Sequence, residues 1–219
     1  MLVGIISDVH ANRIALSAVL ADMPDVDGLV CAGDIVGYNP WPAECVDELR
    51  ARDVPTVMGN HDRAVATATG FVGSRMADAG AQYAIDALGS DRIEWLRGLP
   101  DSRLAIGGRI RLVHGHPDDP NRYTYPSLFS ADLLGEEDVL VMGHTHVQAH
   151  ERYDDGIVCN PGSVGQPRDG DPRAAYAVVD LDSMRVEERR VEYDVEAVIE
   201  AIDAAGLPAG TGTRLRKGR

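Results

Sequence analysis

Residues 2–10, Leu2-Val3-Gly4-Ile5-Ile6-Ser7-Asp8-Val9-His10, run an apolar stretch directly into two metal-ligating side chains. Such an aliphatic run reads as a strand buried on both faces, and a carboxylate and an imidazole follow just past its end. The arrangement recurs along the chain. Leu29 to Ala32 precedes Gly33-Asp34, Val54 to Met58 precedes Gly59-Asn60-His61-Asp62, Ile110 to Val113 precedes His114, and Val139 to Met142 precedes Gly143-His144-Thr145-His146. In open α/β sheets ligands collect outside the carboxyl ends of the strands, so five strand ends are expected to converge on one site able to hold two divalent ions.

Spacing supports this. Asp8 and His10, like His144 and His146, stand two apart, and in an extended segment such residues face one side. Gly33, Gly59, Gly115 and Gly143 permit tight turns and close backbone approach beside the ligands. Of the seven histidines, His10, His61, His114, His144 and His146 sit at strand ends. His150 reads as a strand-face residue, and His116 as a loop residue, a support to the site or a substrate contact.

The order Asp-x-His, Gly-Asp-x-x-Gly (Gly33 to Gly37), Gly-Asn-His-Asp, His-Gly and Gly-His-Thr-His resembles the calcineurin-like metallophosphoesterases across residues 8–146. The segment Asn160-Pro161-Gly162-Ser163-Val164-Gly165 with Pro167-Arg168 is similar to the corresponding segment of small prokaryotic phosphodiesterases of that superfamily, whose relatives include diadenosine polyphosphate hydrolases. The resemblance implies that Asp8, His10, Asp34 and His146 bind one metal and that Asp34, Asn60, His114 and His144 bind a second, with Asp34 bridging. It also implies that His61 contacts the scissile phosphate or protonates the leaving oxygen, with Asp62 orienting its ring. Two such ions can share an attacking hydroxide and grip the phosphoryl oxygens. Mixed imidazole, carboxylate and amide ligation suits Mn²⁺, Fe, Co, Ni or Zn²⁺, and the resemblance favours Mn²⁺.

Composition bounds the setting. The chain has 219 residues, 44% of them hydrophobic, and a formal net charge of −14. Lys217 is the only lysine, so 20 of the 21 basic residues are arginine. This balance suits a high-salt cytoplasm or a GC-rich genome that favours Arg codons, and it argues against a nucleic-acid polymer as substrate. Cys31, Cys45 and Cys159 show no paired spacing and read as reduced apolar residues. The chain carries no leader-like or membrane-spanning run, which points to a cytoplasmic protein without membrane association; a homo-oligomer is possible.

The rest of the pattern gives helices over Arg13 to Ala21 and Ala43 to Arg50, two or three between Asp62 and Gly98, and one over Val195 to Ala205. Strands are expected at Arg103 to Ile106, Gln148 to Arg152, Ile157 to Asn160, Ala174 to Asp180 and Arg185 to Glu192. The expected fold is α/β, a four-layer α/β/β/α sandwich of two mixed sheets flanked by helices. One domain is expected over residues 1–206, followed by a flexible basic tail over 207–219 that carries Arg214, Arg216, Lys217 and Arg219. For the substrate, Arg168 and Arg13 are candidates for phosphate oxygens, and Tyr123, with Tyr125, for stacking on a base. The expected function is dimetal-dependent hydrolysis of a small soluble phosphate ester, such as a nucleotide or dinucleoside polyphosphate. A protein phosphatase, a nuclease and a non-catalytic scaffold of the same fold are the other readings.

Overall fold

Strand alternation explains the architecture of the computed structural model, which describes residues 1–71 and 73–219. In chain order the elements are β1 (Leu2–Ile6), α1 (Arg13–Asp22), β2 (Gly28–Cys31), α2 (Pro42–Ala51), α3 (Asn60–Thr67), α4 (Arg75–Ala87) and α5 (Ser90–Arg97). Then come β3 (Ser102–Ala105), β4 (Ile110–Val113), β5 (Val139–Val141), β6 (Ala149–Tyr153), β7 (Gly156–Asn160), β8 (Ala174–Asp180), β9 (Arg185–Val191), α6 (Val195–Ala204) and α7 (Ala209–Thr213). One sheet has the order β2-β1-β8-β9 and the other β3-β4-β5-β7-β6. Both are mixed: β1 runs parallel to β2 and antiparallel to β8, while β5 runs parallel to β4 and β7 and β6 pairs antiparallel with β7.

Successive residues in a strand point to opposite faces. Val3 and Ile5 of β1, Ala177 and Val179 of β8, Ile110 and Leu112 of β4, and Val139 and Val141 of β5 all enter one buried layer between the sheets. Their neighbours Ile6, Tyr176 and Val178 face the helices, packing with Leu16 and Val19 of α1 and with Val46 and Leu49 of α2. Leu140, Met142 and Val158 turn to the far side of the second sheet, under Phe129, Leu133 and Leu134, where two short 3₁₀ turns cover them. Burying each of the Val, Leu, Ile, Phe and Met side chains among them contributes about 1.5–3 kcal/mol. Two mixed sheets flanked by helices agree with the sandwich that the sequence predicts.

Local signals set the element ends. The Asn12 side chain accepts from the Ala15 amide at 3.1 Å, capping α1, and Pro42 opens α2, where its missing N–H costs nothing. Three helices fill 60–97, and α3 begins at Asn60 itself. The strand expected over Val54 to Met58 reduces to a single parallel bridge, Cys31 with Thr56. Pro55 has no N–H for a ladder, and the Met58 amide turns away to Pro100 O at 2.8 Å.

The expected free tail is also different. Leu207 and Leu215 bury against Val198 and Ile202 of α6, the Gly212 backbone lies against Ile199, and Arg216 pairs with Glu196 at 2.6 Å. Leu207 and Leu215 supply the apolar anchors, and the small residues of α7 let its backbone approach α6 closely. No helix among the described residues is long and apolar enough to cross a membrane.

Candidate metal centre

All five strand-end strings meet at one edge of the sandwich. Asp8, His10 and His146 form one group of converging ligand atoms, Asp34, His114 and His144 a second, and each group is buried. His10 Nε2 lies 3.7 Å and His114 Nε2 3.4 Å from the same oxygen, Asp34 Oδ2, so Asp34 stands between the two groups. Asn60 joins the second, with its Oδ1 3.1 Å from His114 Nε2.

The imidazoles are held in fixed tautomers. Nδ1 donates to a main-chain carbonyl in three of them: His10 to Val36 O at 3.2 Å, His114 to Ala32 O at 2.8 Å and His146 to Gln166 O at 2.6 Å. His144 is reversed, with Nε2 donating to Asn121 O at 3.2 Å. Each ring, when neutral, thereby presents its other nitrogen's lone pair to the cluster, as supporting hydrogen bonds do for metal-bound histidines, and a metal at the second group would take the place of the proton that Asp34 favours on His114. The Nε2 atoms of His10 and His146 face each other at 3.1 Å, beside Asp8 Oδ1, which has no hydrogen-bond partner. Lone pairs and a buried carboxylate oxygen brought this close repel unless a cation lies among them, so the donor set fits a metal ion.

The backbone is bent to make this cluster. Asp8, His10, Asp34, His144 and His146 have φ of 52°, 48°, 53°, 68° and 59°, a region that costs side-chain-bearing residues about 1–3 kcal/mol each. The extended geometry expected for Asp8/His10 and His144/His146 is therefore absent; their side chains converge through left-handed turns. Gly59 and Gly143 are required beside them, because a Cβ at Gly59 would run into the Asp34 carboxylate and one at Gly143 into Ser7 Oγ. The Asn160–Gly165 segment is a brace. Asn160 Nδ2 donates to Gly143 O at 2.8 Å, Ser163 Oγ to Asp8 O at 2.7 Å, and the Val164 and Gly165 amides to Ser7 O and Asp8 O, each at 3.0 Å.

Electrostatics draw positive charge to the cluster. Burial presses on His114, but the Asp34 charge and hydrogen bond lift its pKa to about 10. Asp34 and Asp8 are held well below the carboxylate range, burial being outweighed by the facing imidazoles. Burial keeps His10 low and holds His61 and His144 down to about 4.

His61 lies in the same nest, its ring 4.8 Å from His10, 4.7 Å from Tyr38 and 4.3 Å from Phe71. Its Nδ1 is buried without a partner. Asp62 does not orient that ring. Its carboxylate accepts from the amides of Gly59 at 3.0 Å, Ile35 at 2.9 Å and Val36 at 3.2 Å, locking the Gly33–Gly37 turn to the start of α3.

The substrate candidates divide. Tyr123 stacks on His144 at 3.9 Å and beside Tyr125 at 6.1 Å, with both tyrosines 47% exposed. Arg168 reaches Tyr38 Oη at 3.3 Å and Gln166 Oε1 at 2.7 Å, at the rim beside His61. Arg13 is exposed, with its guanidinium 5.4 Å over the Trp41 ring. His116 takes the Asp118 amide on Nδ1 at 3.1 Å and shapes its own loop, and His150 pairs with Glu188 on the outer strand face. Tyr38 is the residue that sequence reasoning missed; its only signal is a place in Gly37-Tyr38-Asn39 beside a required turn.

A model of the calcineurin-like phosphoesterase superfamily domain matches residues 1–184. Along all of its length the chain is 34% identical to an uncharacterized protein of Methanocaldococcus jannaschii, 98% of which is covered. It is 28% identical to the phosphodiesterase YfcE of Escherichia coli over 82% of this chain and 88% of that one. A solved metallophosphoesterase from Sphaerobacter thermophilus superposes with a TM-score of 0.88 at 36% identity, with 100% of both chains covered. Family match, whole-length relatives and a buried two-lobed nest of ligand atoms agree, and the chain belongs to the calcineurin-like phosphoesterase superfamily as a metallophosphoesterase.

Proposed function

We propose that this metallophosphoesterase hydrolyses phosphodiester or phosphomonoester bonds of a small soluble compound, a nucleotide or a dinucleoside polyphosphate, with two divalent ions, Mn²⁺ by family resemblance. The observation that carries the reading is the pair of buried ligand groups sharing Asp34. Asp8, His10 and His146 would hold one ion, Asn60, His114 and His144 the other, and Asp34 both. Bound ions of this kind acidify a water for attack and offset the charge that develops on the phosphoryl oxygens.

The chain's own groups do the rest. The carbonyls of Val36, Ala32, Asn121 and Gln166 fix which imidazole nitrogen faces inward. His61, unpartnered at Nδ1, contacts the scissile phosphate or passes a proton to the leaving oxygen. The Arg168 guanidinium, suited to planar bidentate contact with phosphate, orients the ester, and the exposed face of Tyr123 receives a base. A formal charge of −14 and a single lysine disfavour a nucleic-acid polymer and fit a saline cytoplasm.

The test is hydrolysis of bis-para-nitrophenyl phosphate, nucleotides and dinucleoside polyphosphates with and without Mn²⁺, alongside elemental analysis. Turnover that needs metal, with two ions per chain, is expected. One ion per chain after supplementation, or no turnover on any ester, would overturn the reading in favour of a scaffold.

A further inference from the structure

Tyr38 sits at the end of the turn that follows Asp34, in a backbone conformation that its own side chain makes costly. Its φ is 61°, in the left-handed region that a bulky residue rarely adopts and that costs about 1–3 kcal/mol. The surroundings hold it there. The Asn39 amide donates to Gly37 O at 2.8 Å and Asn39 Nδ2 to His10 O at 2.7 Å, which ties the turn to the first ligand string. The backbone of α4 passes so close that a Cβ on Gly80 would lie 2.2 Å from the Tyr38 amide nitrogen. Glycine would hold this conformation without strain; here the strain comes with a side chain that faces the metal centre.

That side chain is buried and reaches three groups of the centre. Its ring meets His10 edge-on with 4.9 Å between ring centres, and it lies against the His61 ring at a tilt of 40°. The Arg168 guanidinium carbon is 5.8 Å from the Tyr38 ring centre, and Arg168 Nη2 donates to Tyr38 Oη at 3.3 Å. Gln166 holds the same guanidinium: its Oε1 accepts from Arg168 Nε at 3.2 Å and from Nη2 at 2.7 Å, while its main-chain oxygen accepts from His146. Nε and Nη2 are therefore occupied, and among the described residues no hydrogen bond engages Nη1. Nη1 is the nitrogen left for an anion from outside. Tyr38 Oη only accepts from Arg168, so its own proton is also free to serve one.

We infer that Tyr38 is a positioning residue: its ring steadies the His61 imidazole and its hydroxyl turns the Arg168 guanidinium, so that one side chain sets both groups that meet the phosphate. This rests on the reading of the centre as a phosphate-ester site in which His61 and Arg168 touch the ester. An arginine already held in its binding orientation loses less rotamer freedom when the anion arrives, and a ring anchored on a strained, well-braced turn gives His61 a fixed wall. The two contacts are separable, because phenylalanine keeps the ring and drops the hydroxyl.

The test is a pair of double-mutant cycles on the full-length, Mn²⁺-loaded protein, read as the dissociation constant of inorganic phosphate by calorimetry and as kcat and KM on bis-para-nitrophenyl phosphate. Tyr38→Phe should weaken phosphate binding and raise KM by about fivefold, with kcat unchanged. In an Arg168→Gln background the same change should add nothing, because the hydroxyl acts through Arg168. Tyr38→Leu, which also removes the ring, should lower kcat by about tenfold, and that loss should disappear in a His61→Ala background. Wild-type constants in Tyr38→Phe, or equal losses from it with and without Arg168, would overturn the inference, as would a Tyr38→Leu loss of kcat that persists without His61; additive losses of this kind are what a merely structural tyrosine gives. Should the leucine variant fail to fold, the phenylalanine cycle decides alone. Phosphate binding is read apart from turnover, so a wild type that binds phosphate and hydrolyses no ester would sink the function proposed above while the first cycle still decides the role of Tyr38.

Discussion

The two halves of the centre use the same chemistry under unequal enclosure. On one side Asp8, His10 and His146 are sealed, at most 2% exposed, and the Asn160–Gly165 segment is laced across their backbone. On the other, His114 is buried but Asn60 is only partly covered, and His144 lies beneath an exposed tyrosine on a loop rich in turns. Strands and a brace hold the first half; the start of α3 and the loop after β4 hold much of the second. On the proposed two-ion reading, the sealed half would retain its ion, and the open half would admit solvent and ester and allow exchange.

The largest expected effect comes from the residue common to both halves. Asp34→Asn should lower bound metal from two ions to fewer than one by elemental analysis and cut diester hydrolysis by about a thousandfold. Loss of a single ion would show that Asp34 does not couple the halves. His61→Ala should retain the metal and lower kcat by about a hundredfold; coincident metal loss would make it a ligand, consistent with its place within reach of His10 and Asp34. Asp62→Ala should act on stability instead, because three buried amides lose their acceptor. A cost of about 2 kcal/mol is expected in calorimetry, with ion content falling only as the turn loosens.

Asn60→Ala against His10→Ala tests the inequality itself. After dialysis Asn60→Ala should keep one ion tightly and bind the other at least about tenfold more weakly, whereas His10→Ala should lose the sealed ion. Equal retention by the two variants would abolish the contrast. Smallest of all, Tyr123→Ala should raise KM for base-bearing esters by about fivefold, the low end of stacking on an exposed ring, and leave esters of plain alcohols unaffected.

Much of this was legible in the sequence because strand periodicity and ligand type report on the same positions. Val3/Ile5 against Gly4/Ile6 gives β1, and the end of β1 delivers Asp8. What escaped depended on partners that no pattern encodes. Asp62 stands next to His61 in sequence, yet three free amides compete for its carboxylate more strongly than one ring nitrogen does. Arg13 has the right side chain, but its guanidinium lies over Trp41. Val54 to Met58 is apolar enough for a strand, and Pro55 denies it a ladder. Residues 207–219 have the composition of a loose end, and two leucines eight positions apart fasten them to α6. Tyr38 is visible only once the turn at Gly37 is folded against His61.

The left-handed backbone at five ligand-bearing residues makes the motif non-portable. Writing Asp-Val-His after an unrelated strand would reproduce the side chains and not the scaffold that forces them together, because the surrounding sheet ends, glycine gaps and brace supply the compulsion. An attempt to transplant this chemistry has to carry the neighbouring loops as one unit.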